Sequence, residues 1–104
     1  MHVKTNTDRN IQASESLAAQ VESVVTRALG RFVDQVTRVE VHLSDENGGK
    51  SGPDDKRCMM EARLEGRPPT AVTHRAATVD QAMDGAAGKL ARSIESSLAR
   101  EREY

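Results

Sequence analysis

Aromatic side chains are nearly missing from this sequence: Phe32 and Tyr104 are the only two among 104 residues. A hydrophobic core must therefore be assembled from Val, Leu, Ala and Met, which predicts a thin core and modest stability. A lone cysteine, Cys58, rules out an intramolecular disulfide and lends no support to an oxidising compartment. No apolar run is long enough for a signal peptide or a bilayer-spanning helix, so a membrane partner is not expected and the cytoplasm is the expected location. An excess of either charge is lacking too. Fifteen Lys and Arg stand against sixteen Asp and Glu, for a formal net charge of −1. Any affinity for nucleic acid must then come from how the positive charges are distributed.

What is present is periodic. Val3, Thr5 and Thr7 alternate with polar neighbours and read as a short strand. Ser14 is a good capping residue for a helix of about five turns, on which Leu17, Val21, Val24, Val25, Ala28, Leu29 and Phe32 form one apolar stripe. The period then changes to two. Val39, Val41 and Leu43 alternate with Arg38, Glu40 and His42, and Cys58, Met60, Ala62 and Leu64 alternate with Arg57, Met59, Glu61 and Arg63. Between them the Gly- and Asp-rich stretch at about 44–55 predicts a flexible hairpin loop. Gly66-Arg67-Pro68-Pro69 predicts a turn into a further strand over roughly Thr70 to Arg75. Thr78-Val79-Asp80-Gln81 fits a capping box, and Val79, Met83, Ala86, Leu90, Ile94 and Leu98 hold helical spacing beyond it.

The order β-α-β-β-β-α predicts an α+β fold: one domain over residues 1–104, with a four-stranded mixed sheet and two helices packed on one face. The helix between the first two strands calls for a parallel pair, and the later strands for hairpins. No internal repeat or second domain is visible.

Catalysis or metal chemistry would need reactive groups gathered among suitable partners. His2, His42 and His74 are scattered, and none has a second ligand at metal-binding spacing. Cys58 lies in an apolar register, where core packing explains it better than reactivity. It could meet His42 or His74 across neighbouring strands, but the spacing does not favour this over coincidence. The Gly48-Gly49 and Gly52 loop has neither the lysine placement nor the following helix of a phosphate-binding loop. The sequence predicts no enzyme, cofactor, metal or small-molecule substrate.

Positive charge is better organised. At 100° per residue, Lys89, Arg92, Ser96 and Arg100 fall in a band of roughly 80° on the last helix, about 120° from its apolar line. Arg27 and Arg31 stand one turn apart outside the stripe of the first helix. With both helices on one side of the sheet, the two sets could form a single basic surface. Asp80, Asp84, Glu95, Glu101 and Glu103 on the last helix equally suit an ordinary solvated face, and charge alone leaves both readings open. The outer sheet face, with Arg57 and Arg63, is a further candidate contact.

The element order resembles a known family. So do Phe32-Val33-Asp34-Gln35-Val36 leading into Val39-Glu40-Val41-His42-Leu43, and Ala82-Met83-Asp84 followed by Lys89-Leu90-Ala91-Arg92. Together they are similar, over nearly the whole chain, to the ribosome hibernation-promoting factor and ribosome-associated inhibitor family, in a short and divergent form. The resemblance implies a stress or stationary-phase factor that occupies the messenger and transfer RNA channel of the small ribosomal subunit. Its partners would be that subunit and its ribosomal RNA. Lys89 and Arg92 match the family's basic helix motif, and Arg31 matches a position that is often basic. A regulatory protein-binding module on the same fold is the alternative, and a small enzyme using Cys58 or a histidine is a third hypothesis.

Overall fold

In the computed structural model, residues 1–46 and 55–102 are described, the last two by their backbone alone. The chain runs β1 (His2–Thr7), α1 (Glu15–Leu29), a short 3-10 turn (Gly30–Phe32), β2 (Val36–Asp45), β3 (Lys56–Leu64), β4 (Thr70–Ala76) and α2 (Val79–Arg102). The sheet order is β1-β2-β3-β4. β1 lies parallel to β2, and β2–β3 and β3–β4 are antiparallel. The expected α+β fold of order β-α-β-β-β-α is the observed one.

Ser14 caps α1 as expected, and at α2 the Thr78 half of the expected capping box forms. The Leu17 N–H donates to Ser14 Oγ at 3.0 Å, and the Gln81 N–H donates to Thr78 Oγ1 at 3.1 Å. Both bonds satisfy first-turn amides that have no partner inside the helix. Gly66 takes φ 72° after β3, a left-handed conformation that glycine adopts without steric penalty.

α1 is shorter than its apolar stripe. The α-helix stops at Leu29, and Gly30 begins the 3-10 turn that carries Phe32 into the core. Glycine is a poor helix former, and the tighter turn swings the large ring inward. Leu17, expected in the core, is only partly buried at its margin. The loop expected over 44–55 is also narrower than predicted. Ser44 and Asp45 belong to β2, and Asp45 and Asp55 are buried. The rest of that loop lies outside the described residues, and so does the mobility expected of it.

Cross-strand register sorts the sheet into two faces. Val39, Val41 and Leu43 face the same way as their partners Ala62, Met60 and Cys58, and all six are buried. With Val21, Val25, Leu29, Phe32, Met83, Leu90 and Ile94 they form one core. The two helices contact each other and cover this face together. The opposite face carries no helix. Its rows read Lys4, Arg38, Glu40 and His42 on β1 and β2, Arg57, Met59, Glu61 and Arg63 on β3, and Thr73 and Arg75 on β4.

The rim where the hairpin begins is fastened by polar groups. Lys56 Nζ lies 2.9 Å from Asp55 Oδ1 and 3.6 Å from Asp45 Oδ2. Asp8 accepts from the Asn10, Ile11 and Asp45 amides, tying the end of β1 to the end of β2. The hydrogen bond to Asp55 holds the Lys56 ammonium above its ordinary pKa, against an opposing effect of burial.

α2 lies close against β4 at Gly85. A Cβ there would run into the His74 ring, so the missing side chain is what lets the imidazole lie against the helix.

Candidate nucleic-acid interface

The five sequence-designated cations divide between α1 and α2. α1 packs against one flank of α2, and Asp80, Asp84 and Glu95 lie on that flank. Arg27 lines a groove of about 240 Å³ together with Asp80 and Asp84. Arg31 Nη2 contacts Glu95 Oε2 at 3.2 Å, and its guanidinium sits 4.7 Å from the centre of the Phe32 ring. The α1 arginines therefore face acidic groups across the helix–helix groove.

Lys89, Arg92 and Arg100 are exposed on the other flank of α2, beyond the apolar line. Lys89 Nζ donates to the Thr73 carbonyl at 3.0 Å, so this flank overhangs β4. No ion pair is formed by Lys89, Arg92 or Arg100 among the described residues. Lys89, Arg92 and Arg100 share one stripe of α2, and Arg92 Nη1 lies beside Gly88, which lines a groove together with Arg27 and Asp84. Acidic side chains of α2 stand next to both α1 arginines, so the charge between the helices is mixed. Neither helix sequence alone could reveal this, since it depends on how the two helices are rotated on the sheet.

The groups considered for chemistry separate just as clearly. Cys58 and His74 are register partners on the inner face, whereas His42 points to the open face, 3.6 Å from Glu40. Burial pushes the Cys58 thiol up to about 12, so it stays protonated and unreactive at neutral pH. No group of three or more His, Cys, Asp and Glu positioned to hold a metal occurs among the described residues. No helix among them is long and apolar enough to cross a membrane.

A four-stranded mixed sheet with one helix-free face, two helices on the other and a one-sided cationic stripe fits a binding protein. The family model of the sigma 54 modulation protein / S30EA ribosomal protein matches residues 5–102, and the chain belongs to that family. The family is described by a ribosomal and modulatory role, and it is not a family of enzymes. No curated protein matches the chain. Among solved structures, the chain is similar to the N-terminal domain of Protein Y from Thermus thermophilus. The TM-score is 0.74 at 23% identity, covering 92% of this chain and 98% of that one. It is also similar to a ribosomal subunit interface protein from Coxiella burnetii, with a TM-score of 0.65 at 13% identity over the full length of both chains. At these identities the two structures speak for the fold.

Proposed function

We propose that this chain is a cytoplasmic ribosome-binding factor that regulates translation, in hibernation or stress, by occupying the messenger and transfer RNA channel of the small subunit. Family membership over residues 5–102 carries the reading, and the cationic flank of α2 supports it. Lys89, Arg92 and Arg100 present positive charge along about three turns of helix with no acidic partner among the described residues, an arrangement suited to RNA phosphates. Binding then acts by occlusion. The bound protein fills space that an RNA ligand needs, and no bond is made or broken.

Arg27 and Arg31 have a smaller part in this proposal than the sequence suggested. Glu95 pairs with Arg31, and Asp80 and Asp84 line the same groove as Arg27, so their charge is partly offset. That mixed-charge groove favours a second reading, in which a protein partner docks between the helices. Cosedimentation with purified small and large subunits separates the two. RNA-mediated binding predicts association with the small subunit that weakens steeply with salt, by about 0.7 to 0.9 in log–log slope for each phosphate neutralised. Lys89→Glu with Arg92→Glu should abolish it while the thermal melt stays unchanged, since exposed charges contribute little to stability. Absence of small-subunit association in the unmodified chain would reject the proposal in favour of the protein partner.

A further inference from the structure

We infer that Arg57 and Arg75 form a phosphate-binding fork on the helix-free face of the sheet, extending the RNA contact of α2 around the β4 edge. The inference rests on the ribosome-binding reading above and adds a site on the opposite side of the sheet. Arg57 and Arg75 are direct register partners on β3 and β4. Their Cα atoms are thus about 4.5–5.5 Å apart, with both side chains on the same face. Like charges placed directly opposite destabilise a sheet. Such a pair calls for a compensating anion.

Among the described residues, only half of that compensation is present. Glu46 Oε1 lies 3.8 Å from Arg57 Nε and 3.8 Å from Arg75 Nη2, so one carboxylate serves two guanidiniums. Both distances exceed hydrogen-bond length, and Glu46 is the only partner either arginine has among the described residues. Up to ten N–H donors therefore face outwards around one distant carboxylate. The side chains are 36% and 58% exposed, leaving them open to a ligand. The other pair of opposed arginines on this face is built differently. Arg38 has Glu40 at 2.7 Å and Arg63 has Glu61 at 4.0 Å, so that row carries two carboxylates for two arginines. Among the described residues, the Arg57–Arg75 row carries one. A phosphate, with several oxygens for planar guanidinium donors, suits two forks converging from adjacent strands.

Position links the fork to the helix stripe. Lys89 docks on the carbonyl of Thr73, two residues from Arg75 along β4, or about 7 Å of strand. β4 is the edge strand. One RNA strand passing over that edge can meet Lys89 on the helix side and the arginine pair on the other.

The test compares three chains: wild type, Arg57→Gln/Arg75→Gln, and Lys4→Gln as a control from the far edge of the same face. Matched thermal melts establish that all are folded. The measurements are small-subunit affinity against salt, and the arginine Nε–H resonances during titration with poly-uridylate. The fork predicts that the double variant binds at least tenfold more weakly, with a log–log salt slope shallower by about 0.7 to 0.9. Lys4→Gln should match wild type, and the Arg57 and Arg75 resonances should move with RNA. A double variant with wild-type affinity and slope would overturn the fork and leave the ribosome-binding reading standing. Should the wild type fail to bind the subunit while poly-uridylate still moves both resonances, the fork stands as an RNA site and the ribosomal reading falls. If neither subunit nor poly-uridylate binds the wild type, both fall.

Discussion

Cys58 combines burial with an inert thiol. It is fully buried between Leu43 and His74 in the register, and desolvation disfavours its thiolate. Native-state labelling by a thiol reagent at pH 8 should be slow and become fast in denaturant, whereas rapid native labelling would contradict the burial. The same group sets an alkaline limit. Its pKa rises from 9.0 when unfolded to about 12 when folded, so its contribution is complete below pH 9 and lost as pH climbs from 9 through 12. Lys56, also raised in the fold, loses its contribution in the alkaline range as its ammonium deprotonates. Urea titrations at pH 7, 9 and 10 should show falling stability, and Cys58→Ala should flatten part of the decline. Gly85 offers a sharper test by a reversal of sign. Gly85→Ala forces a methyl group into the His74 ring and should destabilise by roughly 1–3 kcal/mol. In a His74→Ala background the clash is gone, and the same change should stabilise by up to about 1 kcal/mol through helix propensity. Equal effects in both backgrounds, read from urea midpoints, would show that the close approach is misplaced.

Elements differ in how openly the sequence declares them. The alternation through Val39, Val41 and Leu43 and the spacing of Met83, Leu90 and Ile94 follow from backbone period alone, so both core faces were legible. So were Ser14 and Thr78, whose caps need only a neighbouring amide. The break at Gly30 was masked because Phe32 continues the apolar spacing while the backbone tightens into a 3-10 turn. The division of charge between the flanks of α2 was half legible. Spacing placed Lys89, Arg92 and Arg100 together, but only packing shows Glu95 turned to Arg31. That contact is 59% exposed on both side chains, and an exposed pair contributes about 0–1 kcal/mol. Glu95→Gln should therefore leave the melt nearly unchanged. If Glu95 also shields Arg31 from RNA, the same change should tighten small-subunit binding, and unchanged affinity would remove Arg31 from the interface. The Arg57–Arg75 pair escaped sequence reading because cross-strand register depends on which residues of β3 and β4 meet. A long hairpin or turn leaves that open.

At the scale of the molecule, one core holds two charged surfaces in fixed relation, the outer flank of α2 and the helix-free sheet face. The fold gives both a rigid backing, and the polar fastening at Lys56, Asp45 and Asp55 keeps the hairpin rim in place. Lys56→Met removes the cation shared by two buried carboxylates and should lower the urea unfolding midpoint. An unchanged midpoint would mean that the pairing contributes nothing to stability. Occlusion depends on place, so affinity alone does not establish it. The most direct test is competition on purified small subunits between this chain and transfer RNA bound with messenger RNA. Occupation of the channel predicts mutual exclusion, with saturating protein displacing transfer RNA and excess transfer RNA releasing the protein. Simultaneous, independent binding of both to one subunit would contradict it.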